Sequence, residues 1–235
     1  RNLVLLVFSL VFYAWGEPVY VLIMLFSIVF DYANGRLIEH FKNKNCPGKA
    51  KAALIVDLCG NLAILGFFKY TDFVIGSINS ITGAGLSLLH IALPIGISFF
   101  TFQILSYVID LYRGRYPVQK NILNLALYIS FFPQLIAGPI VRYVDIDRQL
   151  ESRTHSTQKA MEGIRRFLYG LGKKVLIANV LGQCVDSIYA MELSEVTGAF
   201  AWLAAGMYML QIYYDFSGYS DMAIGLGKLF GFDFP

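Results

Sequence analysis

Between Leu86 and Ile109 the chain runs for 24 residues in which His90 is the only group able to carry a charge, and between Ile122 and Val141 it runs for 20 with none. A helix needs about 20 apolar residues to cross a hydrocarbon core about 30 Å thick. Lipid offers no solvent to open backbone, so apolar runs of this length predict membrane helices. Val196–Tyr214 adds 19 uncharged residues, and Leu3–Trp15, Val19–Phe30, Ala52–Phe68 and Val175–Ala190 are shorter candidates. The expected fold is all-α: a polytopic integral membrane protein with about seven membrane segments. Composition points the same way, with 57% of residues hydrophobic and only 15% charged, against about 25% charged in soluble domains. A net charge of +3 gives no global basic field for nucleic acid. Cys46, Cys59 and Cys184 show neither CxxC nor Cys/His spacing, which argues against a zinc site or disulfide framework.

Lysine and arginine gather on the cytoplasmic side of membrane proteins. Asn34–Lys51 carries Arg36, Lys42, Lys44, Lys49 and Lys51 against Glu39, and Arg142–Lys174 carries eight basic residues. Both stretches are expected to be cytoplasmic, and the poorly charged Lys69–Gly85 and Met191–Val196 to be outside loops. Trp15–Pro18 reads as a tight turn joining the first two segments. Arg113, Arg115 and Lys120 also mark the loop before Ile122 as cytoplasmic, so Ile122–Val141 would begin and end on one side. That segment contains Pro133, Gly138 and Pro139, which interrupt helical hydrogen bonding. It is therefore expected to be re-entrant, and broken backbone at membrane depth needs protein or a cavity around it. Gln158–Ile177 mixes basic and apolar residues and reads as a helix lying along the cytoplasmic interface. The chain opens on Arg1 rather than Met and is expected to be an internal piece of a longer protein.

Polar residues inside spans are costly and usually face the bundle interior. Gln103, Ser106 and Asp110 share one helical face, as do Asp57 and Asn61, Gln211 and Asp215, and Ser217 and Asp221. Such faces either hydrogen-bond helix to helix or line a polar path. The densest stretch, Tyr213–Asp221, holds two Asp, two Ser and three Tyr. His40, His90 and His155 have no Asp or Ser at helical spacing on a plausible buried face. Gly225–Gly231 lacks the spacing and preceding strand of a phosphate loop.

Three stretches carry a family resemblance: Leu93–Gln103 (LPIGISFFTFQ) running on to Asp110, Phe131–Ile140 (FFPQLIAGPI), and Tyr213–Pro235, which ends in FDFP. Together they resemble the membrane-bound O-acyltransferase family, most nearly its bacterial alginate O-acetyltransferase branch. The resemblance implies that residues 1–235 are part of one such domain, a ring of tilted helices around a tunnel across the membrane. It implies an acyl donor on the cytoplasmic side, such as acetyl-CoA or an acyl-carrier species, and no bound cofactor or metal. An exported polysaccharide such as alginate would be the acceptor, in a bacterial cytoplasmic membrane, with periplasmic or donor-loading proteins as partners. The family's catalytic His is expected just beyond Pro235, and none of the three histidines here matches its motif. No catalytic residue is assigned, and the stretch alone is expected to be inactive. Gln103, Asp110, Gln134, Tyr213, Asp215, Ser217 and Asp221 are the candidate tunnel-lining residues. D-alanyl transfer to teichoic acid is the alternative within the enzyme class, and a secondary transporter the alternative outside it.

Overall fold

The computed structural model describes residues 1–135, 138, 141–192 and 196–234, and among these all regular structure is helical. The chain divides into two compact units: Arg1–Ile136 with Arg142–Glu151, and Ala137–Val141 with Ser152–Pro235.

The first unit holds α1 (Asn2–Gly16), α2 (Tyr20–Asn43), α3 (Pro47–Thr82), α4 (Ile97–Tyr112), α5 (Ile122–Ser130), α6 (Phe132–Leu135) and α7 (Tyr143–Glu151). The turn expected at Trp15–Pro18 falls where α1 gives way to α2. Two helices, α2 and α3, are long and apolar enough to cross a membrane, and α1 and α4 are shorter apolar helices. Both long helices outrun their expected spans. α2 continues through the basic stretch to Asn43, and α3 continues through the expected outside loop to Thr82, so only Lys44–Cys46 separates them. Nothing between Pro47 at the start and Gly83, left-handed at φ 68°, breaks α3. The hydroxyls of Ser77, Ser80 and Thr82 fold back onto carbonyls four residues earlier, so its polar end needs no loop. At 36 residues α3 is about 54 Å long, more than a hydrocarbon core requires.

Leu86–Ile109 is not one helix. Residues 83–96 are irregular, and α4 starts at Ile97, after Pro94 and a left-handed Gly96 (φ 75°). Hydropathy sees only the apolar side chains and misses this break. The open backbone is held by side chains: Asn79 both donates to the Leu86 carbonyl (2.7 Å) and accepts from its amide (2.8 Å). Asp72 accepts from Leu89 N at 2.9 Å, and the Tyr20 and Tyr13 hydroxyls donate to the carbonyls of Ala92 and Ile95 at 3.0 Å each. Each such bond satisfies a backbone group that helix geometry leaves open.

Ile122–Val141 is also interrupted. Nine-residue α5 ends where Phe131 turns extended (ψ 111°), and α6 follows as a single turn. Nine residues rise only about 14 Å, well short of a bilayer. Of the residues expected to cause the break, Pro133 sits in α6, while Pro139 lies outside the described residues.

The second unit holds α8 (Thr157–Gly172), a π-helical segment (Lys173–Ala178), α9 (Asn179–Tyr189) and α10 (Gly198–Leu229). Ser156 caps α8 by accepting from Lys159 N at 3.1 Å, and Thr197 caps α10 by accepting from Phe200 N at 3.4 Å. α8 and α10 run antiparallel and touch through paired glycines, Gly163 opposite Gly225 and Gly170 opposite Gly218. A Cβ on Gly225 would stand 2.6 Å from the Gly163 carbonyl oxygen, and one on Gly218 would stand 2.8 Å from that of Gly170. Small residues are what let helix backbones approach this closely. Of the expected outside loop Met191–Val196, residues 193–195 lie outside the described residues.

Candidate functional site

In the first unit the polar face of α4 meets the broken end of α5. The last four carbonyls of a helix lack an amide four residues on. Tyr128, two residues before the end of α5, has its carbonyl served by two side chains: Gln103 Nε2 at 2.9 Å and Gln134 Nε2 at 2.8 Å. The two glutamines are 4% and 3% exposed, so the interruption that the prolines signalled is stabilised by buried amide donors. The side-chain carbonyl oxygen of Gln134 is buried without a hydrogen-bond partner. Ser106, on the same face of α4, donates to the Gln103 carbonyl at 2.8 Å.

One turn further along α4, four phenols converge. Tyr107 packs on Tyr116, Tyr128 and Tyr143 with ring centroids 5.6, 6.5 and 4.9 Å away. Tyr116 donates to the Tyr107 carbonyl, and Gln119 Nε2 donates to the Tyr143 hydroxyl at 2.7 Å. Burial pushes the Tyr116 and Tyr143 phenols well above the ordinary tyrosine range, with neighbouring Tyr107 adding to it at Tyr116 and Asp147 at Tyr143. Both therefore remain neutral donors at any physiological pH. Asp110, at the end of this face, pairs with Arg115 at 2.9 Å. The sequence singled out Gln103, Asp110 and Gln134 but not the tyrosines, whose grouping depends on three separate helices and a loop.

In the second unit the acidic face of α10 meets the basic residues of α8 and the π-helical segment. Lys173 Nζ donates to Ser217 Oγ at 2.9 Å and to Asp221 Oδ2 at 2.6 Å, so the two residues four apart do share one face. Arg166 Nε reaches the other Asp221 oxygen at 3.0 Å, and Lys174 pairs with Asp215. Further along, Lys228 pairs with Glu162 at 2.9 Å and Lys159 with Asp233 at 2.6 Å. Arg166, Lys173 and Asp221, with Leu168, Tyr169 and Leu176 around them, edge a cleft of about 580 Å³. Tyr213 is largely exposed and meets Tyr214 edge to face at 5.3 Å. Gln211 lies against Gly182 of α9, and its Oε1 is buried without a partner. The sequence read this helix as lying along the interface; the structure gives three of its basic residues, Arg166, Lys173 and Lys174, carboxylate partners on α10. π-helical turns within longer helices often mark functional sites, and this one begins at Lys173 and Lys174.

The structure brings Gln103 and Gln134 together, and Ser217 and Asp221 together. It places Asp110 with Arg115 and Asp215 with Lys174. None of His40, His90 or His155 joins either cluster; His155 lies against Gly231, which is left-handed at φ 87°. Among the described residues no three His, Cys, Asp or Glu side chains are grouped so as to hold a metal ion.

Residues 115–235 match the model of the membrane-bound O-acyltransferase family. Over the whole chain it is 44% identical to the probable alginate O-acetylase AlgI of Pseudomonas aeruginosa, covering 45% of that protein. It is 35% identical to a peptidoglycan O-acetyltransferase of Helicobacter pylori (97% of this chain, 47% of that protein). With a teichoic acid D-alanyltransferase of Lacticaseibacillus rhamnosus it shares 25% identity (94% of this chain, 58% of that protein). The chain spans about half the length of the curated relatives it matches. The chain belongs to the membrane-bound O-acyltransferase family.

Proposed function

We propose that this chain is part of a membrane O-acyltransferase that moves an acetyl group from a cytoplasmic donor to hydroxyls of an exported polysaccharide such as alginate. The observation that carries the proposal is the 44% identity, over every residue, to a probable alginate O-acetylase. The acetyl group is favoured over D-alanine because two acetyl-transferring relatives, at 44% and 35%, stand well above the D-alanyltransferase at 25%. The tilted-helix ring, the tunnel, the seven segments, a re-entrant Ile122–Val141, multi-pass insertion in the bacterial cytoplasmic membrane and periplasmic or donor-loading partners all belong to the same proposal.

In this reading the enzyme needs a general base to take the acceptor's hydroxyl proton and donors to stabilise the oxyanion as the acyl carbonyl is attacked. The base would be the family's histidine, outside residues 1–235. The present residues would shape the path. The Gln134 oxygen, buried without a donor, can accept a hydrogen bond from a passing hydroxyl or amide. The Lys173–Asp221 and Lys174–Asp215 pairs would fix α10 against the basic helix. The test is transfer of labelled acetyl from acetyl-CoA or an acetylated carrier to alginate by membranes containing the intact protein. Ester-linked label on the polymer is expected. With a D-alanyl carrier offered in parallel, ester-linked D-alanine on teichoic acid and no acetyl on alginate would select the second reading.

A further inference from the structure

Asp57 and Asn61 were singled out by spacing, and nothing in the acyl-transfer reading uses them. The structure adds a third member, Asp31 of α2. Asp31 and Asp57 are both 0% exposed and Asn61 is 2% exposed, at the packed face between α2 and α3. The single Asn61 amide nitrogen lies 2.7 Å from Asp31 Oδ1, 3.4 Å from Asp57 Oδ2 and 3.1 Å from the Asp57 carbonyl. The other oxygen of each carboxyl, Asp31 Oδ2 and Asp57 Oδ1, is buried with no hydrogen-bond partner.

Among the described residues no cation balances these groups. The ion pairs among the described residues include neither aspartate. Helices α1, α4 and α5, which pack on α2, contain no Lys, Arg or His. Their titratable side chains are Tyr13 on α1, Tyr107, Asp110 and Tyr112 on α4, and Tyr128 on α5; Asp110 is already paired with Arg115. Of these, Tyr107 lies within electrostatic reach of Asp31. On α2 itself the nearest cation in sequence, Arg36, turns to Glu39 at 3.8 Å. On α3 the nearest, Lys51, stands six residues before Asp57. Two carboxylates sharing one dry site cannot both stay ionised, because desolvation and mutual repulsion act together. The side-chain amides of Asn61 and Asn34, both beside Asp57, do not offset that.

We propose that Asp31 and Asp57 form a proton-binding site between the two long helices, in which one carboxyl keeps its proton and donates it to the other. The two bare oxygens are where that proton sits, and the Asn61 amide fixes the remaining pair of oxygens. Such a pair titrates as a unit. Retaining the proton keeps α2 and α3 together, and stripping it sets two like charges against each other at their interface.

The test uses the intact protein purified in detergent, compared with the Asp31→Asn/Asp57→Asn double variant. Infrared difference spectra are expected to show a protonated-carboxyl C=O band in the wild type that the double variant loses. The unfolding midpoint of the wild type is expected to fall as pH rises from 7 to 10 by more than that of the variant, equally in sodium and potassium salts. Should the double variant not assemble, each single Asn variant carries the same comparison. An unchanged carboxyl band would overturn the proposal, and so would identical alkaline slopes. A wild-type midpoint raised by sodium but not potassium, and only with both aspartates present, would replace the proton with a sodium ion.

Discussion

Gly163 and Gly225 meet backbone to backbone: a Cβ built on either would stand 2.6 Å from the carbonyl oxygen of the other. The same relation recurs seven residues away in each helix, at Gly170 and Gly218, so the α8–α10 crossing is a repeated close contact.

That geometry predicts opposite outcomes for neighbouring glycines of one helix. Gly163→Ala should cost about 1–3 kcal/mol, as overpacking does, because the obstructing atom is a carbonyl that cannot swing away. Gly172→Ala, where nothing lies within 4 Å, should be neutral or gain about 0.5–1 kcal/mol from lower chain entropy. Thermal unfolding of the intact protein in detergent separates the two.

The shared acceptor at Tyr128 predicts non-additivity. Gln103→Leu and Gln134→Leu each leave one donor on that carbonyl and should cost about 0.5–1.5 kcal/mol apiece. The double variant removes both amide donors from that carbonyl and should cost about 0.5–1.5 kcal/mol beyond the sum. A double-mutant cycle on the unfolding midpoint reads this directly.

Several of these relationships were legible in the sequence. The i, i+4 spacing of Ser217 and Asp221 placed both on one face, and Lys173 touches both. Pro133 and its neighbours signalled a break, and α5 stops at Ser130. Other features were not legible, for physical reasons. Hydropathy could not see that Pro94 and Gly96 leave residues 83–96 irregular, because apolar side chains dominate the average while backbone geometry decides the helix. Helix ends were misplaced where polar residues continue a helix, as at Asn43 and Thr82. Carboxylate partners such as Lys173 for Asp221 lie 48 residues away along the chain, beyond any local pattern. The seven-residue spacing of Gly163 with Gly170 and of Gly218 with Gly225 is the signal the sequence does carry for the tight crossing.

Burial separates the two aspartates of α10. Asp215 and its partner Lys174 are 40% and 41% exposed, so Asp215→Ala should change stability by no more than about 1 kcal/mol. The Asp221 side chain is 18% exposed and holds both Arg166 and Lys173. Asp221→Ala removes the shared counter-charge and should cost about 1.5–3 kcal/mol. Unfolding midpoints, with acetyl transfer measured at matched expression, rank the two.

Glu162 supplies the pH dependence. Its hydrogen bond to Lys228 and the lysine's charge hold its carboxyl below the usual range. A lowered value in the folded protein means stabilisation that is complete above the ordinary carboxylate range and lost as pH falls through the lowered value. Wild type and Glu162→Gln should therefore differ by the same margin at pH 8 and pH 6, and the margin should shrink progressively once pH falls below the ordinary carboxylate range, about pH 4.

The central claim is that these helices serve acyl transfer to a polysaccharide, and the most direct measurement is the ester itself. Membranes carrying the intact protein, given labelled acetyl donor and alginate, should place base-labile label on the polymer. Gln134→Ala at matched expression should lower that rate about tenfold, the equivalent of about 1.4 kcal/mol of transition-state stabilisation. Absence of ester-linked label on any polysaccharide, with the protein folded and donor present, would contradict the account.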